Sequence, residues 1–196
     1  MKYSQNNEQQ HILAACAAVG VAGRFMDIGA YDGKTFSNTL ALAEFGWGGV
    51  CVEPSAAVLE KLKAVHVNRP HVVILPVAVT VNGGNVVFWD SGGDAVSTCS
   101  EDHMRRWSGE VRFNKVEVPS ISVQELFKSD VDFDFINLDV EGQNFPIFEL
   151  IPWERLTKLR CVCVEHEGFH VEMTRVLAPF GFRQVDLNGE NVILSK

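Results

Sequence analysis

The sequence predicts an α/β fold: a mostly parallel sheet with helices on both faces and an antiparallel hairpin at its C-terminal end. Strand-like apolar runs alternate with helix-like patterns along most of the chain, which is the order that gives a parallel sheet. The last two strand-like runs flank Asn188-Gly189, a hairpin signal. With 196 residues, 46% of them hydrophobic, and no Pro/Gly/Ser-rich break, we expect one domain over residues 1–196.

The predicted elements follow in chain order. Apolar residues at helical spacing predict helices at residues 8–19, within an N-terminal segment 1–23, and at 34–45, 55–65, 123–128, 146–150 and 171–177. Short apolar runs predict strands at residues 25–28, 49–53, 72–75, 111–118, 133–138, 160–165, 182–187 and 191–195. Residues 77–90 alternate on both sides of an Asn-Gly-Gly turn and predict a hairpin. Residues 91–110 predict a loop with one helical turn near residues 102–107.

Composition narrows the function classes. A net charge of -8 and a pI near 5.2 give no broad basic field, so we expect neither nucleic-acid nor membrane binding. Arg105, Arg106, Arg112 and Lys115 form either a short basic patch or a solvated face. Five cysteines without a CxxC pair favour reduced thiols. No apolar run reaches the roughly 18 residues of a membrane span, and the apolar run near the N-terminus lacks a signal-peptide flank, so we expect a cytoplasmic protein.

A glycine-bearing turn, FMDIGAYDG at residues 25–33, follows the first predicted strand. Gly29 and Gly33 are separated by Ala30, Tyr31 and Asp32, so the middle glycine of a dinucleotide fingerprint is missing and a pyrophosphate would be crowded. A ligand without phosphates still fits. Asp27 can accept hydrogen bonds from the turn or from a ligand ammonium, and free N–H groups at the start of the next helix suit a carboxylate.

The next strand ends at Glu53, twenty residues after Gly33, where an acidic side chain can accept hydrogen bonds from both hydroxyls of a ribose. The alternative is that Glu53 only places a charge at a helix N-terminus. An amino acid joined to a nucleoside without phosphate describes S-adenosylmethionine. The turn and Glu53 together therefore predict this cofactor.

The runs MDIGAYDGKTFSNT, GWGGVCVEP, FDFINLDVEGQNFPIFEL and GFRQVDLNGENVILSK resemble the FkbM family of S-adenosylmethionine-dependent methyltransferases. The resemblance covers nearly the whole chain from Arg24. It implies a Rossmann-like class I methyltransferase fold with a seven-stranded sheet and, commonly, O-methylation of a hydroxyl on a sugar or natural product.

The resemblance implies roles for individual residues. It implies a cofactor turn at Asp27, Gly29, Ala30 and Gly33, and a ribose-binding acid at Glu53. It also implies a D-x-E-G element at Asp139, Glu141 and Gly142. Two positions depart from the family. Asn144 stands where an acid is common, and Asn137 stands where a lysine is common.

The predicted site for the methyl acceptor is formed by acids at the ends of two strands. Asp139 ends its strand, so its carboxylate is expected to face the methyl group or the acceptor, while Glu141 is either catalytic or a helix cap. His166, after the next strand, is the candidate base. Alternatively, Asp139, Glu165 and His166 hold magnesium or manganese, although their spacing is not specific for a metal.

Residues 91–110 are predicted to form an acceptor lid, or else a variable insertion. The side chains suited to polar or ring-shaped substrates are Ser97, Thr98, His103, Arg105, Arg106 and Trp107.

The sequence as a whole leaves three hypotheses about function: a methyltransferase acting on a hydroxylated small molecule, an NAD-linked oxidoreductase, and a nonenzymatic binding or scaffold domain.

Overall fold

Two β-sheets organise the structure, a computed structural model that describes residues 2–196. The strands are β1 (Arg24–Ile28), β2 (Gly48–Val52), β3 (Val72–Leu75), β4 (Ala78–Thr80), β5 (Gly84–Asp90), β6 (Asn114–Ser122), β7 (Phe135–Leu138), β8 (Cys161–Glu165), β9 (Arg183–Leu187) and β10 (Asn191–Ser195). The larger sheet has seven strands in the order β3-β2-β1-β7-β8-β10-β9, and only β10 runs antiparallel to its neighbours. The predicted sheet with a C-terminal hairpin is confirmed.

Helices cover both faces of this sheet, as predicted. They are α1 (Glu8–Cys16), α2 (Leu40–Glu44), α3 (Ala56–His66), α4 (Glu101–Trp107), α5 (Val123–Leu126), α6 (Asn144–Leu150) and α7 (His170–Leu177). Successive residues of β1 face opposite sides. Met26 and Ile28 belong to the core that includes α5, α6 and α7, whereas Phe25 belongs to the core that includes α1, α2 and α3.

The strand order reverses beside β1. The chain moves outward from β1 to β2 and β3, and then returns to place β7 on the other side of β1. The connections on the two sides of this point diverge, which leaves a crevice at the carboxyl ends of β1 and β7. This crevice is where a ligand is expected in an open α/β sheet.

The predicted hairpin over residues 77–90 is wrong. The strands β4 and β5 do not pair with each other, because β6 lies between them. Antiparallel pairing of β5 with β6 extends from Gly84 opposite Ser120 to Asp90 opposite Asn114, and β4 adds to the other edge of β6 in parallel. The glycine turn reverses the chain as predicted, but the long-range partner offers many more ladder hydrogen bonds than the three-residue β4.

The predicted helix over residues 34–45 is shortened to α2. The carboxylate of Asp32 accepts hydrogen bonds from the N–H groups of Lys34 and Thr35 (2.8 and 2.7 Å). The Ser37 hydroxyl oxygen then accepts one from the N–H of Leu40 (3.0 Å). These side chains satisfy the backbone of the turn outside a helix, which is the competition that short polar residues offer to helical structure.

Residues 91–110 contain α4, which matches the predicted helical turn, and Ser100 caps it by accepting a hydrogen bond from the N–H of His103.

At the N-terminus, α1 is shorter than predicted and continues as a 3-10 helix over Ala17–Ala22. Within residues 2–196, no helix has both the length and the apolar character needed to cross a membrane.

We predict that Gly29→Ala destabilises the chain by about 3–5 kcal/mol, because a Cβ at this position would lie 1.6 Å from the backbone oxygen of Asp139 and φ is +87°. The matched control is Gly181→Ala. Its φ of +86° imposes the same left-handed strain, but no atom lies within 4 Å of its Cβ position, so we expect a loss of about 1–2 kcal/mol. Urea unfolding followed by circular dichroism measures both; equal losses would show that Gly29 is not held against Asp139.

Candidate active site

A cavity of about 840 Å³ lies at the carboxyl ends of β1 and β7, where the strand order reverses. It is large enough for a small molecule of nucleoside size together with a second ligand. The turn after β1 and the end of β2 form one side. The turns after β7 and β8 form the other, and residues from the segment 91–110 lie across both.

Asp27, at the end of β1, is buried with both carboxylate oxygens in hydrogen bonds. The Thr39 hydroxyl donates to Oδ2 (2.5 Å), and the side-chain amide of Asn137 donates to Oδ1 (2.9 Å). Burial raises the pKa of Asp27, and these two hydrogen bonds oppose that rise. Asn137, one of the two departures from the family pattern, therefore holds this carboxylate with a neutral amide.

In the glycine turn, the N–H groups that could bind an anion already donate to other acceptors. The N–H groups of Gly29 and Ala30 both donate to the carbonyl of Val52 (2.9 and 3.1 Å), and that of Tyr31 donates to Glu53 (2.9 Å). Of the N–H groups predicted to be free at the start of the next helix, those of Lys34 and Thr35 donate to Asp32. Gly29 and Ala30 line the cavity. Gly33 is not among the lining residues; it lets the turn pack on Leu62, which a Cβ would approach to 2.6 Å.

Glu53 lies where the sequence placed it, at the end of β2 and facing the cavity. Its carboxylate accepts hydrogen bonds from the N–H groups of Tyr31 and Ser55 (2.9 and 2.8 Å), one to each oxygen. Each oxygen keeps a second acceptor position. Burial raises the pKa of Glu53 to about 7.

Asn38 lines the cavity although no sequence pattern pointed to it. It is buried in the turn before α2. Its amide nitrogen donates to the side-chain oxygen of Asn137 (3.0 Å), while its own Oδ1 is buried without a hydrogen-bond partner. A buried acceptor without a partner, on a residue that lines a cavity, suits a positively charged donor such as an ammonium group.

Asp139 and Glu165 meet on the other side of the cavity. Oxygens of the two carboxyl groups lie within 4.8 Å of each other, and the side-chain amide of Asn144 donates to Glu165 (2.6 Å). Burial and the neighbouring charge of Glu165 raise the pKa of Asp139 well above its usual value, and burial raises that of Glu165 to about 7. Oδ1 of Asp139 is buried without a partner. Asn144, the second departure from the family pattern, thus supports this carboxylate pair.

Glu141 contacts a histidine that the sequence placed only in the lid. Nε2 of His103 lies 3.1 Å from Oε2 of Glu141 but makes no hydrogen bond. Burial raises the pKa of Glu141 to about 8 and lowers that of His103 to about 4. The contact depends on Gly142, because a Cβ there would lie 2.9 Å from Cβ of His103.

Glu167 completes a group that we call the acidic wall: Asp139, Glu141, Glu165 and Glu167, all of which line the cavity. Its carboxylate accepts from the N–H of Asn144 (3.2 Å), and burial raises its pKa. Glu141 and Glu167 have φ values of +54° and +48°. Such conformations are strained for residues other than glycine, and they cluster at functional sites.

His166, the predicted base, is not among the cavity-lining residues. Its Nδ1 accepts a hydrogen bond from the N–H of Gly168 (2.9 Å), and its Nε2 lies 3.2 Å from the carbonyl of Asn188. Both ring nitrogens therefore have backbone partners. Glu165 and Glu167, on either side of His166 in the chain, both line the cavity, because the chain turns here with a φ of +48° at Glu167.

The predicted metal-ligand set is also rearranged. The acids that can offer oxygen ligands to one ion are Asp139, Glu141 and Glu165, whose ligand atoms all lie within 4.8 Å of one another. Glu141 takes the place that the sequence assigned to His166. Within residues 2–196, this is the one such cluster of three or more His, Cys, Asp or Glu residues.

The segment 91–110 lies over the cavity as the predicted lid would. Thr98 is fully buried and its hydroxyl donates to the backbone carbonyl of Glu141. On the other side, the Tyr31 hydroxyl donates to the carbonyl of Gly93 (2.6 Å). Several of its side chains line the cavity, namely Ser97, Cys99, His103, Arg106 and Trp107. Arg105 instead pairs with Glu101 on the surface of α4.

Comparison with known families gives one match. The family model described as the methyltransferase FkbM domain matches residues 27–185, which include the glycine turn, Glu53 and the acidic wall. No match to the chain is found among curated proteins.

Solved structures share the fold at low sequence identity. Precorrin-6y C5,15-methyltransferase from Geobacter metallireducens GS-15 is 10% identical with a TM-score of 0.52, and the match covers 100% of this chain and 92% of that one. The METTL16 MTase domain is 12% identical with a TM-score of 0.53, covering 96% and 65%. Precorrin 8w decarboxylase from Methanobacterium thermoautotrophicum is 13% identical with a TM-score of 0.51, covering 100% and 92%. The chain thus has the Rossmann-like class I methyltransferase fold.

Proposed function

The chain belongs to the FkbM family of methyltransferases, and from this membership we propose that it transfers a methyl group from S-adenosylmethionine to a hydroxyl oxygen of a polar small molecule, such as a sugar or a natural product. One observation carries the proposal: the acidic wall and Glu53 face the same cavity from opposite sides. A cofactor held at Glu53 and an acceptor held at the wall would therefore meet inside one enclosed space.

The cofactor side fits S-adenosylmethionine. Glu53 keeps an acceptor position on each oxygen for the two ribose hydroxyls, and the open Oδ1 of Asn38 suits the ammonium of the methionine part. Asp27, beside Asn38, adds negative charge for that ammonium. Between the ribose site at Glu53 and the ammonium site at Asn38, the cavity is lined by the backbone of Gly29 and by Ala30 with its methyl group.

The occupied N–H groups of the glycine turn favour this cofactor over a dinucleotide. A pyrophosphate requires several free N–H donors, whereas those of Gly29, Ala30 and Tyr31 already bond to Val52 and Glu53. A scaffold that only keeps the fold has no need of clustered, mutually repelling carboxylates, because such groups destabilise the folded chain.

When bound, S-adenosylmethionine supplies a methyl group on a positively charged sulfur, and its in-line transfer breaks the S–C bond, forms an O–C bond and releases the hydroxyl proton of the acceptor. The chain's task is to orient that hydroxyl and to accept its proton. Carboxylates of the acidic wall would do both. Arg106 and Trp107, from the lid, would contact the rest of the acceptor.

Binding of S-adenosylhomocysteine, the unreactive product, tests the cofactor assignment. We predict saturable binding by calorimetry and no binding of NAD. We also predict about tenfold weaker binding at pH 6 than at pH 8, because the pKa of Glu53 is about 7 and its ionised form accepts both ribose hydroxyls.

The matched variant is Glu53→Gln, which we expect to weaken binding by about 1–3 kcal/mol and to remove the pH dependence. If this variant keeps the same pH dependence, Glu53 does not hold the ribose. If neither ligand binds to the wild-type chain, the scaffold hypothesis replaces the methyltransferase.

Turnover tests the acidic wall. With methyl-labelled cofactor and a panel of hydroxylated acceptors, we predict that Glu165→Gln lowers kcat by about 10²- to 10⁴-fold, because it removes a carboxylate that orients the acceptor. Affinity for S-adenosylhomocysteine should stay within about threefold, since Glu165 lies on the acceptor side. Glu60→Gln, on the exposed surface of α3, is the control. Equal kcat values in the two variants would remove the wall from the reaction.

A further inference from the structure

We propose that Asp139, Glu141 and Glu165 bind one divalent cation of the magnesium or manganese class on the acceptor side of the cavity. The binding of this ion does not depend on the proposed methyl transfer, whereas its role in catalysis does. The site is built from the turn after β7 and the end of β8, two neighbouring strands whose carboxyl ends meet at one edge of the sheet.

The ligand chemistry fits a hard cation. Each of the three residues offers a carboxylate oxygen, and these oxygens lie within 4.8 Å of one another, a spacing that one ion can bridge. Magnesium and manganese prefer such oxygen ligands, and magnesium usually binds one or two carboxylates and keeps several waters. Three carboxylates leave positions for an acceptor oxygen and for water.

Two buried atoms at this cluster have no hydrogen-bond partner, and one of them belongs to a residue outside the ligand set. His103 has a side chain that is only 8% exposed, and its Nε2 lies 3.1 Å from Oε2 of Glu141 without a hydrogen bond. Oδ1 of Asp139 is buried and equally unpartnered. Buried polar atoms normally have partners, so this pattern indicates a missing ligand. A cation takes Oδ1 of Asp139 directly and places an ion-bound water within reach of the His103 imidazole.

The balance of charge in the cavity also favours a bound cation. Like charges at this separation repel, and a cluster of half-buried carboxylates is stabilised by a cation or by bound protons. Within residues 2–196, no lysine or arginine forms a salt bridge with Asp139, Glu141 or Glu165. Arg106 lines the cavity and its charge lowers the pKa of Glu141, but it forms no ion pair with any of the three acids. The ligand set therefore has no lysine or arginine in direct contact to balance its charge.

For the proposed reaction, the cation would hold the acceptor oxygen and lower the pKa of its hydroxyl. The proton would pass to Glu167, the member of the acidic wall outside the ligand set. The oxygen would then form the bond to the methyl carbon as the S–C bond of the cofactor breaks. In this scheme three acids of the wall bind the cation, and the fourth, Glu167, accepts the proton.

The test is a manganese titration of the whole chain, freed of metal with EDTA and gel filtration, in which electron paramagnetic resonance measures free Mn²⁺. We expect saturation at one Mn²⁺ per chain and displacement by Mg²⁺. Glu141→Gln and Glu165→Gln should each weaken binding by about tenfold or more, because each removes a charged ligand. Glu167→Gln, in the same wall but outside the ligand set, should stay within about threefold.

Absence of saturable binding to the wild-type chain overturns the proposal, as does an equal loss in Glu167→Gln, which would indicate general attraction to negative charge. Circular dichroism checks that each variant is folded; if one ligand variant is unfolded, the other and the Mg²⁺ competition still decide. The titration contains neither cofactor nor acceptor. A chain that binds S-adenosylhomocysteine but not Mn²⁺ therefore contradicts only this inference, and the reverse result contradicts only the proposed function.

Discussion

The close approach of two turns at the point of strand reversal is the constraint on which the rest of the site depends. The turn after β1 lies so near the turn after β7 that Gly29 has no room for a Cβ beside the backbone oxygen of Asp139, and the N–H of Asp139 donates to the carbonyl of Ile28 (2.9 Å). This contact brings the cofactor side of the cavity and its acidic wall within the reach of one small molecule. A side chain at Gly29 would separate the two.

Neutral partners hold most of the buried acids in place. Asp27 is bound by a threonine hydroxyl and an asparagine amide, Glu53 by two backbone N–H groups, and Glu165 by Asn144. Such partners fix the position of each carboxylate without neutralising its charge. Burial raises the pKa values of Glu53, Glu141 and Glu165 to about 7 or 8. A positively charged ligand, of which a sulfonium cofactor and a divalent cation are examples, would stabilise the ionised form of these acids.

The sequence was sufficient for features that depend on local pattern. Alternating apolar runs predicted a mostly parallel sheet, the resemblance to the FkbM family implied seven strands, and strand ends predicted that Asp139 and Glu165 lie at one edge of the sheet. It was insufficient where long-range packing decides. The partner of β5 is β6 and not the nearby β4, and the histidine beside Glu141 is His103, some forty residues earlier in the chain. Gly142 is the one local signal for that contact, since its missing side chain leaves the space that α4 fills.

The position of the cofactor relative to the acidic wall is the central claim, and a crystal structure of the complex with S-adenosylhomocysteine measures it most directly. We expect the ribose hydroxyls within hydrogen-bonding distance of Glu53 and the sulfur directed across the cavity toward Asp139 and Glu165. A complex with the ribose away from Glu53, or with the sulfur directed away from the acidic wall, would contradict the account.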